Sequence, residues 1–355
     1  MVLDAGSRLT VARRDLREMR LAPDPDAPAA RPLADGEARL AVERFALTAN
    51  NVTYAAFGDT MHYWDFFPGD DAAWGCVPVW GFATVAESRA EGLAVGTRVY
   101  GFLPMGTHLV VRPDRVSASG FADASAHRAP LAAIYNRYTV ATDPTPEGVQ
   151  AVLRPLFTTA FLLDDFLAGN GFFGARQLLL SSASSKTAYA TAHCLAQRAD
   201  APAVLGLSSR ANAPFARELG CYDAVLDYDD VARLDPALPT VYVDFAGSVP
   251  LRRAVHERFG DALAYSCAIG ATHWDRLAGE GRLPGPKPQL FFAPAQAAKV
   301  ADLSARLEAA WADFATRAAG TLVFREAAGA SAIEQAWRAA VAGHANPAEG
   351  LMLRF

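Results

Sequence analysis

Apolar and polar residues alternate along short runs in the first part of the chain. The runs 38–49, 79–88, 97–103 and 107–112 place apolar residues at roughly every second position. This spacing is typical of half-buried β-strands. Glycine and proline fall between the runs and favour turns. The pattern predicts a β-rich, barrel-like domain.

The pattern changes near residue 150. Continuous apolar runs such as LLL and VYV alternate with longer segments of helical character. Such runs are typical of strands covered on both faces, and their alternation with helices predicts parallel βαβ units. The predicted strands are 177–182, 203–208, 224–226, 240–245, 263–269 and 289–292.

Several helix ends and one further strand are marked by sequence signals. Asn212 is predicted to cap a helix that begins at Ala213. Ser331 and Glu334 have the spacing of a capping box, which predicts another helix start. The closing residues 350–355 are expected to form a final strand.

Composition narrows the class of protein. The chain has 355 residues, of which 52% are hydrophobic and 20% charged, with a net charge of −5. These values exclude general disorder and do not favour nucleic-acid binding. The sequence has no apolar stretch of membrane-spanning length, and its four cysteines are widely separated. We therefore expect a cytoplasmic protein of two domains, without a membrane span.

A serine-rich turn follows the first strand of the second domain. The segment 178–190, LLLSSASSKTAYA, runs from a strand into a helix. In doubly wound sheets, the helix after this turn binds phosphate at its N-terminus. The glycine fingerprint of dinucleotide sites is missing, so a serine-rich cap on a buried helix is an equal alternative. The glycines of a P-loop are also absent, which disfavours a nucleotide triphosphatase.

The second predicted strand ends in Ser208, Ser209 and Arg210. In dinucleotide-binding folds this strand end meets the adenosine ribose, where an acidic residue selects NAD and an arginine accommodates the 2′-phosphate of NADP. The sequence favours NADP here. An ordinary polar loop is the alternative.

Aromatic residues are concentrated in the stretch 54–64, YAAFGDTMHYW. A tyrosine hydroxyl can donate a proton during catalysis. Packing in a core or wall is the alternative for most of these rings. The seven histidines do not pair with cysteine or acidic residues at metal-ligand spacing, so no metal site is predicted.

The order of these segments resembles the medium-chain dehydrogenase/reductase superfamily. Segment 83–103 is similar to its strand, loop and G-D-R-V-Y-G passage, and segment 216–228, ARELGCYDAVLDY, to its A-x-x-L-G-A-D-x-V-I-D-Y motif. Segment 243–247 is similar to its F-D-x-x-G motif. The nearest resemblance is to zinc-free quinone oxidoreductases and enoyl reductases. Asn51 stands where zinc enzymes have a cysteine, and Asn51 with Tyr54 matches the zinc-free pattern.

The resemblance implies an α/β fold of two domains. A β-rich GroES-like domain would comprise residues 1–150 and 316–355, so that the C-terminal segment returns to the first domain. A doubly wound, Rossmann-like parallel-sheet domain would comprise residues 151–315. The resemblance also implies homodimers that pair edge strands near 289–292.

The resemblance further implies a set of site residues. Cofactor contacts fall on Ser184, Ser185, Lys186 and Thr187 at the serine-rich turn; on Ser208, Ser209, Arg210 and Tyr228 around a 2′-phosphate; and on Gly270 and Phe292 beside the nicotinamide. Asn51, Tyr54 and Tyr63 would lie closest to a small-molecule substrate. For Lys186, a solvated place on the first helical turn is the alternative to phosphate binding.

These inferences predict a zinc-independent, NADP(H)-dependent reductase of an activated C=C bond or a carbonyl. The cofactor would supply hydride and the protein would supply orientation and a proton. The alternative is a nucleotide-binding protein without turnover, because the glycine fingerprint is absent and no strong catalytic pair is present.

Overall fold

The computed structural model of the protein describes residues 6–69, 71–269 and 282–355. The chain divides into two compact units. The first is Met1–Val152 with Val323–Phe355, and the second is Leu153–Leu322. The first unit is thus built from two separated stretches of sequence.

Strands and helices alternate through the second unit, whereas strands dominate the first. The strands are β1 (Ser7–Ala12), β2 (Asp15–Pro23), β3 (Ala38–Leu47), β4 (Trp74–Cys76), β5 (Pro78–Ser88), β6 (Arg98–Pro104), β7 (His108–Val111), β8 (Pro113–Ser117), β9 (Gly120–Asp123), β10 (Arg137–Val140), β11 (Gln177–Leu180), β12 (Ala203–Ser208), β13 (Ala224–Asp227), β14 (Thr240–Asp244), β15 (Leu263–Ala268), β16 (Gln289–Leu290), β17 (Val323–Ala328) and β18 (Glu349–Arg354). The α-helices are α1 (Ala49–Ala56), α2 (Glu147–Gly169), α3 (Lys186–Ala196), α4 (Ala213–Glu218), α5 (Val249–Phe259), α6 (Ala293–Ala297), α7 (Leu303–Thr321) and α8 (Ala330–Val341).

The strands of the first unit form two sheets. A three-stranded sheet has the order β2–β1–β4, and a nine-stranded sheet has the order β17–β18–β3–β5–β6–β10–β9–β8 with β7 paired to β3. The final strand β18 pairs with β3 and with β17, which places the C-terminal stretch at one edge of this sheet. The predicted β-rich domain with a returning C-terminal segment is confirmed.

The second unit contains a six-stranded parallel sheet in the order β13–β12–β11–β14–β15–β16. Counted from β11, this order is 3-2-1-4-5-6, which is the doubly wound dinucleotide-binding topology. The crevice at the carboxyl ends of β11 and β14, where the strand order reverses, is where such sheets bind ligands. The predicted α/β fold class is confirmed.

Two predicted helix starts differ in detail. The predicted capping box at Ser331 and Glu334 is wrong. The helix α8 begins at Ala330, after Gly329 with a φ of 90°, so Ser331 lies inside the helix. Asn212 does precede α4, but its side chain makes no capping hydrogen bond. In both helices, packing of an apolar face determines the helix more than the cap does.

All four cysteines are free and buried. Cys76 lies in the first unit, and Cys194, Cys221 and Cys267 lie in the second. Burial raises the pKa of the Cys76 thiol to about 11 and that of Cys221 to about 12. Within the described part of the chain, no helix has both the length and the apolar character needed to cross a membrane.

Candidate functional site

The turn between β11 and α3 has one left-handed residue although it lacks glycine. Ser182 adopts a left-handed φ of 52°, a conformation that costs a non-glycine residue about 1–2 kcal/mol. Ser185 precedes α3, and its Oγ accepts a hydrogen bond from the Ala188 N–H at 3.3 Å. The helix begins at Lys186, so its N-terminal dipole and first N–H groups lie at this turn.

Small residues let this turn pack closely against the neighbouring strand. A Cβ atom on Gly206 of β12 would lie 2.8 Å from the Cβ of Ala183, closer than two carbon atoms tolerate. The Tyr222 hydroxyl donates to the Ala183 carbonyl oxygen at 2.8 Å. The close approach of the turn to β12 therefore requires glycine at residue 206 beside Ala183.

A buried polar network joins β11 and β14 where the strand order reverses. Ser181 Oγ donates to Asp244 Oδ1 at 2.9 Å, and Arg252 Nε of α5 donates to Asp244 Oδ2 at 3.0 Å. The backbone N–H groups of Ala246 and Gly247 also donate to Asp244. These bonds fix the turn after β14 at the edge of the crevice.

The end of β12 carries the residues predicted to meet a 2′-phosphate. Ser208 is buried, and within the described residues its Oγ has no hydrogen-bond partner. Arg210 is exposed, and its Nε lies 3.3 Å from Asp227 Oδ2 at the end of β13. Tyr228, the next residue, is half-buried; burial raises the pKa of its phenol, and hydrogen bonding to Ser182 partly offsets this effect.

The structure thus brings the serine-rich turn together with Tyr228. It places Arg210 beside a carboxylate that the sequence reasoning did not identify. Phe292 follows β16 at the opposite edge of the sheet from β13 and is partly buried. Gly270 lies outside the described residues.

In the first unit, the predicted tyrosines form one aromatic cluster. The rings of Tyr54 and Tyr63 have centroids 4.6 Å apart, and the Tyr63 hydroxyl lies 3.1 Å from that of Tyr135. The Tyr54 hydroxyl accepts a hydrogen bond from Trp80 Nε1 at 3.3 Å. Burial raises the pKa of Tyr54, Tyr63 and Tyr135, so all three phenols are protonated at neutral pH. Sequence reasoning missed Tyr135, because nothing in its local sequence distinguishes it.

Asn51 has a local structural role. It is buried at the start of α1, where its Oδ1 accepts from the Thr48 N–H at 2.7 Å. Its Nδ2 donates to the Pro78 carbonyl oxygen at 2.8 Å. Both ends of the amide are therefore used within the protein. Across the described ranges, no group of three or more His, Cys, Asp or Glu side chains could hold a metal ion.

A β-rich domain made from two stretches of chain, combined with a doubly wound six-stranded parallel sheet, defines the fold of the medium-chain dehydrogenase/reductase superfamily. The fold that the sequence resemblance implied is therefore confirmed. Within that fold, residues 45–346 match the family described as "Protein of unknown function (DUF2855)". The chain belongs to this family. No curated protein matches the sequence.

Solved structures similar to this chain include an enoyl reductase. The CurK enoyl reductase is 12% identical, with 99% of each chain covered and a TM-score of 0.58. CurA from Vibrio vulnificus, in complex with NADPH, is 13% identical, with 98% of each chain covered and a TM-score of 0.61. The human synaptic vesicle membrane protein VAT-1 homolog-like protein is 13% identical, with 98% of this chain and 97% of that chain covered and a TM-score of 0.55. At these identities the similarity concerns the fold.

Proposed function

We propose that this protein is an NADP(H)-dependent reductase of an activated C=C bond or a carbonyl, acting without a metal ion. The observation that carries the proposal is the doubly wound parallel sheet, which has a left-handed turn and helix N-terminus after β11 and Arg210 after β12. The likeness to CurA in complex with NADPH supports it.

The residues of the second unit fit a dinucleotide. Ser184, Ser185, Lys186 and Thr187 would hold the pyrophosphate at the start of α3. Ser208, Ser209, Arg210 and Tyr228 would surround the adenosine ribose and its 2′-phosphate, and Gly270 and Phe292 would lie beside the nicotinamide. The left-handed Ser182 supports this fit, because it gives the turn the backbone shape that glycine gives elsewhere. When bound, NADPH would supply a hydride.

The first unit would supply the proton. Tyr54 or Tyr63 would donate a hydrogen bond or proton to the enolate or alkoxide that develops on the substrate. Tyr135 would orient Tyr63 through the contact between their hydroxyls. We assign Asn51 as a positioning residue for α1, the helix that carries Tyr54. A homodimer formed through the edge strand β16 and a cytoplasmic location belong to the same proposal.

A dinucleotide-binding protein without turnover is the second candidate. The observation that favours this candidate is that the proposed catalytic side chains are buried or hydrogen-bonded within the protein. Both polar atoms of the Asn51 amide are hydrogen-bonded within the protein, and Tyr54 and Tyr63 are each only 5% exposed.

Direct titration with NADPH and NADH, followed by NADPH consumption with quinones, enones and enoyl thioesters, separates the two candidates. Turnover of any of these substrates supports the reductase, and tight binding without turnover supports the second candidate. Lys186→Ala is expected to weaken the binding of NADPH and of NADH about five- to tenfold, since the pyrophosphate is common to both cofactors. Lys299→Ala, an exposed lysine of the same unit, is the matched control. Absence of any dinucleotide binding by the unmodified protein would contradict both candidates.

A further inference from the structure

Arg210 lies beside carboxylates, which compete with a 2′-phosphate for its guanidinium. It follows β12 by two residues, and Asp227 is the last residue of β13. The register of these strands pairs Ser208 with Asp227, which brings Asp227 beside Arg210. Besides the 3.3 Å contact with Asp227, Arg210 Nη2 lies 4.0 Å from Asp229 Oδ2. The guanidinium therefore already has carboxylate partners.

Asp227 is anchored independently of Arg210. It is the N-cap of the 3₁₀-helix Tyr228–Arg233 and forms a capping box with Asp230. The Asp227 carboxylate accepts from the Asp230 backbone N–H, and the Asp227 backbone N–H donates to Asp230 Oδ2 at 3.2 Å. Its side chain is 24% exposed, whereas that of Arg210 is 84% exposed. When Arg210 rearranges, the carboxylate of Asp227 stays at the strand end.

We propose that Asp227 is a specificity-determining residue that limits the preference of this protein for NADPH over NADH. The inference rests on the proposed function. A 2′-phosphate carries about −1.5 to −2 charges, so it must compete with Asp227 for Arg210 and is repelled by the same carboxylate. The ribose of NADH presents an uncharged 2′-hydroxyl, which can donate a hydrogen bond to a carboxylate at this edge of the sheet. The Asp227 carboxylate thus disfavours the binding of NADPH and favours that of NADH.

The ratio of dissociation constants for NADPH and NADH tests the inference. The full chain is titrated with each cofactor at low ionic strength, where exposed charges act most strongly. Asp227→Asn is expected to shift the ratio about three- to tenfold toward NADPH, by strengthening NADPH and weakening NADH. Arg210→Ala is expected to weaken NADPH alone. Asp200 is an exposed aspartate that precedes β12, at the opposite end of this strand from Arg210. Asp200→Asn makes the same change of net charge there and is expected to leave the ratio unchanged.

Two outcomes would overturn the inference, and they differ from failure of the proposed function. If Asp227→Asn binds both cofactors with the unmodified ratio, Asp227 does not set specificity. If Asp200→Asn shifts the ratio equally, the effect belongs to net charge. If neither cofactor binds the unmodified protein or any variant, the proposed function fails first. Circular dichroism of each variant separates loss of binding from loss of fold.

Discussion

Ser181 and Asp244 are hydrogen-bonded at 2.9 Å across the reversal of strand order, and neither side chain is more than 2% exposed. Asp244 also accepts from Arg252, which is 1% exposed. Replacing Asp244 by a neutral residue breaks this buried ion pair with Arg252. Asp244 therefore links β14 to α5 and to Ser181, the residue that follows β11.

We therefore expect Asp244→Asn to lower the free energy of unfolding by about 3–5 kcal/mol. Ser181→Ala should cost about 1–3 kcal/mol, because it removes a neutral donor. Urea unfolding checks both values. Asp261→Asn, the same change at an exposed residue, serves as the control and should stay within about 0.5 kcal/mol. Equal effects of Asp244→Asn and Asp261→Asn would contradict the structural role of the network.

The left-handed Ser182 gives a second prediction. Ser182→Gly removes steric strain of about 1–2 kcal/mol, and the greater freedom of glycine in the unfolded chain offsets about 0.5–1 kcal/mol. The variant also loses the hydrogen bond between the Ser182 side chain and Tyr228, which offsets about 1 kcal/mol more. The free energy of unfolding should therefore stay within about 1 kcal/mol of that of the unmodified protein. Ser182→Val should be less stable by about 1–2 kcal/mol, since a β-branched side chain fits this conformation poorly.

Ser184→Gly is the matched control for Ser182, because φ at Ser184 is not positive. Ser184→Gly relieves no strain, so its free energy of unfolding should fall by about 0.5–1 kcal/mol. The denaturant midpoints of Ser182→Gly, Ser182→Val and Ser184→Gly test these expectations. A larger loss for Ser182→Gly than for Ser184→Gly would show that Ser182 stores no strain.

The tyrosine cluster predicts how activity responds to substitution and pH. Under the reductase proposal, Tyr63→Phe should lower kcat about a hundredfold or more with little change in KM. Because burial raises the pKa of Tyr63 above its ordinary value of 10.0, the phenol keeps its proton throughout the neutral and mildly alkaline range. No alkaline loss of kcat below pH 10 should arise from this group.

The control for Tyr63 is Tyr135→Phe, which removes the neighbouring hydroxyl and leaves the donor in place. Its effect on kcat should be smaller, about tenfold or less. Steady-state kinetics of both variants provide the comparison. If both variants retain full kcat, the proton comes from another group.

His193 predicts a loss of stability in acid. Its Nε2 lies 3.1 Å from Asp313 Oδ2, yet burial lowers its pKa below the ordinary value of 6.5. The unfolded chain therefore takes up a proton before the folded protein does. The stability that the neutral ring contributes is complete above pH 6.5 and is lost as the pH falls toward the lower folded-state pKa.

His193→Gln should consequently weaken the dependence of the urea midpoint on pH below 6.5. The exposed His62 provides the control, and His62→Gln should keep the slope of the unmodified protein. Identical slopes for all three proteins would show that His193 does not contribute to the acid sensitivity.

The metal-free proposal predicts that purified protein contains no stoichiometric zinc. Chelator treatment should leave NADPH binding and the unfolding midpoint unchanged, since Asn51 occupies the place expected of a zinc cysteine and is hydrogen-bonded to backbone. Elemental analysis checks the prediction. One tightly bound zinc ion per chain would contradict it.

The inner strands β11, β12, β14 and β15 of the parallel sheet were predictable because most of their residues are apolar and buried. Each of the strands β11 to β16 begins at its predicted residue. β1, β4 and the three strands β8 to β10 were missed, and so were β2 and β17. Both are edge strands of mixed polarity with few buried residues, and pairing holds them rather than their hydrophobic pattern.

The candidate site was predictable where a motif is local. Arg210 was identified from the strand end on which it lies. Asp227 lies 17 residues further along the chain, and only the register of β12 with β13 brings it beside Arg210. Tyr135 likewise meets Tyr63 across 72 residues of sequence. Contacts of this kind depend on tertiary packing, which no local pattern encodes.

The rates at which the four buried thiols react would report local opening of the protein. A thiol reagent must wait until the chain around a cysteine opens, and the raised pKa values of Cys76 and Cys221 slow reaction further. Labelling of Cys76 follows opening of the first unit, while Cys194, Cys221 and Cys267 follow the second. Mass spectrometry of the labelled chain would therefore distinguish a ligand that protects the parallel sheet from one that protects the β-rich unit.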